Sequence, residues 1–377
     1  MEITIIGWYG TETIGDRAIL AGIIRVLSCV FPSFEINIGS LYPFFSERIL
    51  QEDVSFFEEL SSKKLQSVSL FDSRNPVQLK HNIRKTDLLL VGGGPLMDLT
   101  EMNMLEYAFL YAHNKKVKTM LFGCGWGPLK NKTIIDKAIH LVELANCTVF
   151  RDSLSEKQCL AHCHSFSGKI HSSVDPAVFA CDYFIKNIKE ERTKDHISIN
   201  FRDAALEGDH YIKNTIPEEF LCRIVDSIAS QTDLQINLVP MHSFFIGGDD
   251  RVILTKIEKK LNSPRIKTIQ KPLNLYDTMS EYYHSCYCIG MRFHSVVLQT
   301  ILNGKNYVVD YTDPSNGKII GFLKQLNIFD HFKERYLSLH SGDDAFCFDL
   351  HNLVRYKYDP EQTAHHFKQY VDCLKSI

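Results

Sequence analysis

The sequence predicts an α/β protein with two doubly wound, Rossmann-like domains that face a cleft. Three observations support this fold class. Short apolar runs of strand length alternate with segments of helical period along most of the chain. Several of these runs end in glycine, arginine or aspartate, which is typical of a strand that leads through a turn into a helix. The chain has 377 residues, more than the ~250–300 at which a single core usually stops growing.

In the first half, residues 2–7 form a strand that enters a glycine-rich turn, and residues 16–30 have helical spacing. The continuous apolar run at 86–91 is typical of a buried parallel strand and ends in three glycines. A second glycine turn follows the strand predicted at 117–122. Further strands are predicted at 36–38, at 148–150 and just before 174–176, and helices at 103–113 and 132–145.

Residues 41–85 show no clear period and are rich in serine, phenylalanine and charge. We interpret them as loops and short helices. Two roles stay open for this segment. It forms a lid packed over a site, or it touches a membrane surface through Phe44, Phe45, Phe56 and Phe57.

The alternation restarts after a charged segment at 186–194, and two successive series of this kind predict parallel sheets with right-handed crossovers. We therefore expect domains at 1–185 and 186–350, and a helical tail at 351–377 that packs back on the first domain. In the second series, strands are predicted at 196–201, 234–239, 287–289 and 307–309, and helices at 217–230, 249–261, 294–303, 318–326 and 360–375.

Composition and charge exclude several classes of protein. Hydrophobic residues make up 45% and charged residues 23% of the chain, as in ordinary globular proteins. The net charge is -3 without long runs of one sign, so nucleic acid is not an expected partner. No apolar run approaches the ~18 residues of a membrane span, and we expect no signal peptide. The 11 scattered cysteines suggest reduced core thiols in a cytoplasmic protein.

The segment Gly290–Ser295 places an arginine and a histidine at a strand-to-helix turn. Such a turn suits an anion, and a histidine can move a proton near neutral pH. Arg151 and Arg202 also follow predicted strands directly, where a guanidinium suits a carboxylate or a phosphate. Salt bridges to the adjacent Asp152 and Asp203 are the structural alternative.

Each of the other candidate site residues has a functional and a structural interpretation. The first turn, at residues 7–16, lacks both the dinucleotide-binding glycine spacing and the P-loop lysine. Its Asp16 either caps the helix or contacts a ligand. Trp126 either stacks on a sugar ring or packs in the interior, and His242 either lines the site or faces solvent. The segment Cys159–His164 has metal-capable side chains but no second cluster at zinc-finger spacing, so we expect no metal.

Taken in order, these motifs resemble the polysaccharide pyruvyl transferase family, over roughly residues 1–325. One departure lies in the first turn, where relatives commonly read Asn-x-Gly-Asp-Glu and this chain reads Thr13-Ile14-Gly15-Asp16-Arg17. The matching segments are Gly7–Leu20, Val91–Gly94, Gly125–Pro128, Phe150–Ser153, Val174–Pro176, Ile199–Arg202 and Gly290–Ser295.

The resemblance implies a GT-B-like fold and a transferase of surface polysaccharide or glycan biosynthesis. Such enzymes move the pyruvyl group of phosphoenolpyruvate onto sugar hydroxyls as a ketal and release phosphate. Phosphoenolpyruvate is the donor substrate, and no cofactor is implied. The family's R-x-H motif falls on Arg292 and His294, and a further family arginine falls on Arg202.

On this basis we expect the first domain to hold the acceptor and the second to hold phosphoenolpyruvate. His294 is the expected acid, and Asp16 is the candidate to orient or deprotonate an acceptor hydroxyl. The expected donor ligands are Arg151, Arg202, Arg292 and Ser295, and the expected acceptor contacts are Thr13, Gly15, Gly93, Gly94, Trp126 and His242.

The acceptor sugar is free, nucleotide-linked or lipid-linked, and the expected location is the cytoplasm, with peripheral association at the inner membrane face left open. The oligomeric state is also open. One alternative is a GT-B-type glycosyltransferase or sugar-nucleotide epimerase, and another is a non-catalytic protein that keeps the fold. A nucleotide-sugar enzyme should hold a ribose through a carboxylate near the donor helix. Residues 295–303 contain no acid, which favours the pyruvyl donor.

Overall fold

Two parallel β-sheets, each with its own hydrophobic core, form the protein. The computed structural model describes residues 1–163, 169–189, 194–203, 216–340 and 347–377. Unit 1 comprises Met1–Glu12, Asp16–Ala180 and Pro360–Ile377, and unit 2 comprises Thr13–Gly15 and Cys181–Asp359. Three residues of the first turn thus belong with unit 2.

The strands of unit 1 are β1 (Glu2–Ile6), β2 (Phe34–Ser40), β3 (Leu65–Asp72), β4 (Leu88–Gly92), β5 (Pro95–Leu96), β6 (Lys118–Trp126), β7 (Cys147–Phe150) and β8 (Ile170–Ser172). They pair in parallel in the order β3-β2-β1-β4-β6-β7-β8, and β5 pairs with the end of β6. All residues of β4 are buried, as expected for a central strand covered on both faces. The helices of this part of the chain are α1 (Ile14–Val30), α2 (Pro43–Ser61), α3 (Pro76–Lys85), α4 (Met102–Asn114), α5 (Lys132–Leu144), α6 (Ser153–Leu160) and α7 (Ala177–Asn187).

The strands of unit 2 are β9 (His196–Asn200), β10 (Gln235–Leu238), β11 (Ile266–Thr268), β12 (Tyr287–Gly290), β13 (Asn306–Asp310) and β14 (Tyr336–Ser338). They pair in parallel in the order β11-β10-β9-β12-β13-β14. The helices are α8 (Glu218–Ala229), α9 (Asp250–Leu261), α10 (Leu275–His284), α11 (Phe293–Leu302), α12 (Lys318–Gln325) and α13 (Phe329–Phe332), followed by α14 (Pro360–Ser376), which belongs to unit 1. The predicted alternation of strands and helices is confirmed.

The strand order reverses direction at one place in each sheet, between β1 and β4 in unit 1 and between β9 and β12 in unit 2. At such a switch point the connections leave on opposite faces of the sheet. A crevice then opens at the carboxyl ends of the two strands, and ligands of open α/β sheets bind there. The switch point of unit 2 is where the chain places Arg202 and Arg292.

The interpretation of residues 41–85 as loops and short helices is wrong. This segment forms α2, β3 and α3, and β3 is the edge strand of the unit 1 sheet. Phe56 and Phe57 are buried in the interior, whereas Phe44 is exposed. Most side chains of β3 are exposed or half-buried because it lies at the edge, and the sequence therefore lacked a clear apolar pattern there. Among the helices of the described residues, none combines the length and apolar character needed to cross a membrane.

A half-buried ion pair at the start of β9 makes the stability of unit 2 depend on pH. The ring of His196 contacts Glu281 at 3.1 Å and Asp195 at 3.0 Å. Burial opposes a charge on this ring, but the hydrogen bond and attraction of Glu281 outweigh it and raise the pKa of His196 to about 9. An unfolded histidine has a pKa near 6.5. The pair therefore stabilises unit 2 fully below about pH 6.5 and loses this contribution as pH rises through about 9.

We expect the free energy of unfolding to fall by up to about 3 kcal/mol more in the wild type than in His196→Gln across this pH range. Urea unfolding of the full chain at a series of pH values measures the difference. His113→Gln replaces an exposed histidine of α4 and should keep the wild-type slope. Equal slopes in all three proteins would contradict a charged His196 in the folded state.

Candidate functional site

The switch point of unit 2 links the ends of β9 and β12. Gly290 pairs in register with Asn200, the last residue of β9. The Asn200 side chain accepts a hydrogen bond from the backbone N–H of Arg292 at 3.1 Å and donates one to the carbonyl of Val239 at 2.9 Å. This fully buried amide therefore connects the turns that follow three adjacent strands.

Arg292 forms a two-pronged ion pair with Asp250. Its Nε donates to both carboxylate oxygens, at 2.9 and 2.7 Å, and its Nη2 donates to Oδ1 at 2.7 Å. The Asp250 side chain is 1% exposed and that of Arg292 16% exposed. The partner of this arginine is thus a carboxylate on α9. The pairing fixes the plane of the guanidinium at the edge of the sheet.

Asp250 also holds the turn after β10. It accepts the backbone N–H groups of Met241 at 3.0 Å and His242 at 3.1 Å. The turn after β10 also contacts the first turn of the chain, because Thr13 and His242 form an antiparallel bridge. The N–H of Ile14 donates to the carbonyl of Met241 at 3.0 Å. His242 is buried, so of its two readings the solvent-exposed one is wrong.

His294 lies in the first turn of α11 and packs against Gly15. A Cβ atom at position 15 would overlap the ring at Nδ1 and Cγ, so only glycine leaves room for the imidazole in this position. Phe293 contacts the same ring edge-on, with centroids 4.8 Å apart. No side chain caps α11. The Ser295 hydroxyl, buried in the same turn, donates to the carbonyl of Arg292 at 2.7 Å, which is a structural contact.

A second cationic group lies around Tyr311, which follows β13. Arg202 donates to the Tyr311 hydroxyl at 3.0 Å, and its guanidinium lies 5.1 Å from the ring centroid. The ammonium of Lys318, at the start of α12, lies 5.2 Å from the same centroid. Next to them, burial raises the pKa of the Asp310 carboxyl, against the opposing hydrogen bonds of Thr312 and Tyr336 and the attraction of Lys318. Two cations thus share one aromatic ring at the carboxyl edge of the sheet.

In unit 1, the glycine turns serve close packing. Gly93 and Gly94 have positive φ angles of 68° and 74°. A Cβ atom at Gly93 would overlap Ile19, and one at Gly94 would overlap the ring of Trp8. Their assignment as acceptor contacts stays a prediction, and the packing gives an independent reason for glycine at both positions.

Trp126 and Arg151 are also engaged within unit 1. Trp126 is 8% exposed, packs edge-on against Phe150 and stacks on His162 with centroids 6.0 Å apart. Arg151 is 3% exposed, and its Nη1 lies 3.5 Å from the Asp175 carboxylate. These contacts favour the packing alternative for Trp126 and the salt-bridge alternative for Arg151, with Asp175 as the nearer partner. Their roles toward sugar and phosphoenolpyruvate stay predictions.

The departure from the family motif at position 17 has a structural reason. Arg17 is buried and donates to Asp53 at 2.6 Å and to Glu52 at 3.0 Å, both on α2. Arg48 of the same helix pairs with Glu52 and with the buried Glu12 of the first turn. The arginine thus anchors the first turn to α2. The neighbouring Asp16 accepts a hydrogen bond from Thr11 at 3.1 Å.

Sequence reasoning missed Asp250 and Lys318. Both begin helices that follow turns at the carboxyl edge of the unit 2 sheet. The doubled acid Asp249-Asp250 was a usable signal. Asp249 caps α9 by accepting the N–H of Arg251, which leaves Asp250 for another partner. In the segment Cys159–His164, both cysteines are buried, and His164 lies outside the described residues.

Comparison with known structures supports the fold. UDP-GlcNAc 2-epimerase from Methanocaldococcus jannaschii matches with a TM-score of 0.59 and 15% identity, covering 100% of both chains. The Neisseria meningitidis UDP-GlcNAc 2-epimerase bound to UDP-GlcNAc gives 0.57 and 13%, also covering 100% of both chains. UGT73P12 from Glycyrrhiza uralensis gives 0.55 and 7%, covering 99% of this chain and 90% of the other. At these identities the similarity shows a GT-B-like two-domain α/β fold.

Comparison of the sequence with known families and proteins gives a more specific result. Among curated proteins, none matches the chain. The family model described as polysaccharide pyruvyl transferase matches residues 14–314. This range begins at the turn that packs on His294 and includes Arg202, Asp250, Arg292 and His294. The chain therefore belongs to the polysaccharide pyruvyl transferase family.

Proposed function

We propose that this protein transfers the pyruvyl group of phosphoenolpyruvate to sugar hydroxyls, forming a ketal and releasing phosphate. One observation carries the proposal. In unit 2, cations follow the ends of three adjacent parallel strands, with Arg202 after β9, Arg292 after β12 and Lys318 after β13. His294 begins a helix in the same turn as Arg292. A small donor with two anionic groups and one proton to accept fits this set.

The donor's two anionic groups need different partners. Phosphoenolpyruvate carries a phosphate and a carboxylate, and guanidinium groups bind both well. The proposal assigns one group to Arg202 and Lys318, which share the ring of Tyr311. It assigns the other to the Nη1 edge of Arg292, whose opposite edge is held by Asp250. The uncapped N–H groups at the start of α11 add partial positive charge.

His294 is the proposed proton donor. Its protonated ring gives a proton to the methylene carbon of phosphoenolpyruvate, and C2 becomes electrophilic. A sugar hydroxyl then attacks C2, a second hydroxyl closes the ketal, and the bond from C2 to the phosphate oxygen breaks with its electron pair on that oxygen. Of the two hydroxyl protons lost, one replaces the proton on His294 and one leaves with phosphate. Acid catalysis of this kind is worth ~10²–10⁴-fold in rate, and positioning and charge stabilisation would supply most of the remaining acceleration.

Asp16 is the proposed residue for the acceptor. It follows Gly15, which packs on the His294 ring, and it accepts a hydrogen bond from Thr11. A carboxylate in this position can orient a hydroxyl or take its proton. The polysaccharide acceptor implied by the family leaves open which sugar is modified and whether it is lipid-linked.

The alternative of a nucleotide-sugar enzyme is not favoured by a specific contact. The similar folds include epimerases bound to UDP-GlcNAc, but fold similarity at this identity does not carry over substrate. Helix α11 contains no acidic residue that would hold a ribose. Thermal shift with phosphoenolpyruvate against UDP-sugars and CMP-sugars separates the two functions, and stabilisation by a nucleotide sugar alone would contradict the proposal.

We expect His294→Ala to lower pyruvyl transfer by ~10²–10⁴-fold, because the methylene carbon loses its proton donor. Phosphate released from phosphoenolpyruvate in the presence of a panel of glycans measures the rate. Stabilisation by phosphoenolpyruvate in thermal shift should persist, since the cations remain. His113→Ala, on an exposed face of α4, is the control. Full activity of His294→Ala would remove this residue from the mechanism.

We expect Arg292→Lys to weaken phosphoenolpyruvate binding by at least ~10-fold, because a lysine cannot pair with Asp250 and present a second edge to an anion. Calorimetric titration with phosphoenolpyruvate measures the affinity. Arg251→Lys is a matched control. Arg251 lies on α9 beside Asp250 and forms a similar ion pair with Asp249, at 2.6 Å. An unchanged affinity in Arg292→Lys would show that Arg292 has a structural role alone.

Lys318→Gln tests the residue that sequence reasoning missed. We expect a ~10–100-fold loss of phosphoenolpyruvate affinity, the usual worth of a charge-assisted hydrogen bond. Lys324→Gln, on an exposed position of the same helix, should bind as the wild type does. If the two variants bind equally well, Lys318 is not a donor ligand.

A further inference from the structure

Two cysteines and a histidine that are far apart in sequence meet in unit 1. Cys147 begins β7, His171 is the middle residue of β8, and Cys373 lies in the last turn of α14. The ligand atoms of the three side chains all lie within 4.8 Å of one another. None of the three has a role in the proposed transfer reaction.

The sheet fixes two of these side chains. The two strands are parallel neighbours, and His171 pairs in register with Val149. Side chains two residues apart in a strand point to the same face. Cys147 and His171 therefore project from one face of the sheet, one step apart, toward α14.

The third side chain is fixed by the packing of α14. The Tyr370 hydroxyl donates to the carbonyl of Val174 at 2.9 Å, and its buried ring stacks on Phe122 with centroids 4.4 Å apart. One turn earlier, His366 contacts the Ser173 hydroxyl at 3.3 Å. These contacts set both the rotation and the height of the helix, and the Cys373 sulfur lies within 4.8 Å of the Cys147 sulfur. Sites on rigid elements bind with little reorganisation.

The donor set selects the class of ligand. Two thiolates and one imidazole suit a borderline-soft ion, and zinc takes such ligands in a tetrahedral arrangement. With Zn–S bonds of ~2.3 Å, ligand atoms in a tetrahedral site lie ~3–4 Å apart. The ligand atoms observed here lie within 4.8 Å of one another, which is close to this spacing. Cys147 is buried and His171 exposed, so the cluster reaches the surface, and water can supply a fourth ligand.

We propose that Cys147, His171 and Cys373 bind one Zn²⁺ that fastens α14 to the edge of the unit 1 sheet. Binding releases the two thiol protons to solvent and forms two Zn–S bonds and one Zn–N bond, with no change of oxidation state. The proposal departs from our expectation of no metal, which rested on sequence spacing alone. It does not depend on the proposed transferase activity.

Cobalt substitution tests the site. The full chain, reduced and stripped with a chelator, is titrated with Co²⁺. We expect one Co²⁺ per chain, with a thiolate-to-cobalt charge-transfer band and tetrahedral visible bands that Zn²⁺ abolishes. Zn²⁺ should also raise the thermal midpoint of the stripped protein.

Three variants and two controls locate the ion. Cys147→Ser and Cys373→Ser should lose most of the charge-transfer band. His171→Ala removes an exposed side chain, should fold as the wild type does, and should weaken Co²⁺ binding at least ~10-fold. Cys29→Ser and Cys347→Ser, which remove exposed thiols outside the cluster, should bind normally.

Three results would overturn the proposal. The first is a reduced wild-type protein without the charge-transfer band. The second is a band and affinity that both His171→Ala and Cys373→Ser leave unchanged. The third is a Cys147–Cys373 disulfide, found by peptide mass spectrometry, that persists in protein prepared with reductant, since the thiolates would then not be available to a metal.

Discussion

The ion pair between Asp250 and Arg292 organises the carboxyl edge of the unit 2 sheet. Asp250 receives the guanidinium from the turn after β12 and two backbone N–H groups from the turn after β10. Its side chain is 1% exposed, so a carboxylate without these donors would cost several kcal/mol. The pair therefore holds two turns and the start of α9 in one arrangement, and the positions of the surrounding side chains follow from it.

The first turn of the chain depends on the same arrangement. Thr13 and Ile14 bond to the turn after β10, which Asp250 holds, and this places Gly15 against His294. The imidazole of His294 therefore needs a glycine at position 15, because any side chain there would overlap its ring. In the proposed reaction, this arrangement would hold the proton donor in a fixed position beside the cations.

Sequence patterns predicted what is local and missed what is long-range. The buried strand β4 was found because a strand covered on both faces must be apolar throughout. The segment 41–85 was missed because β3, at the sheet edge, exposes most of its side chains. Gly290–Ser295 stood out because its arginine and histidine are near neighbours. Asp250 pairs with Arg292, Lys318 shares the Tyr311 ring with Arg202, and Cys147, His171 and Cys373 form one cluster. The doubled acid at 249–250 pointed to Asp250, but spacing along the chain does not show which distant residues come together in such contacts.

In the proposed reaction, the bond between C2 of phosphoenolpyruvate and its phosphate oxygen breaks, and the pyruvyl carbon passes to a sugar. Phosphoenolpyruvate with a heavy oxygen isotope in that bridge, incubated with the protein and candidate glycans, tests it by mass spectrometry of both products. We expect a glycan that is heavier by one pyruvyl ketal, and we expect the isotope in the released phosphate. Phosphate release with the isotope retained in free pyruvate, and with no gain in mass of any glycan, would contradict the proposed reaction.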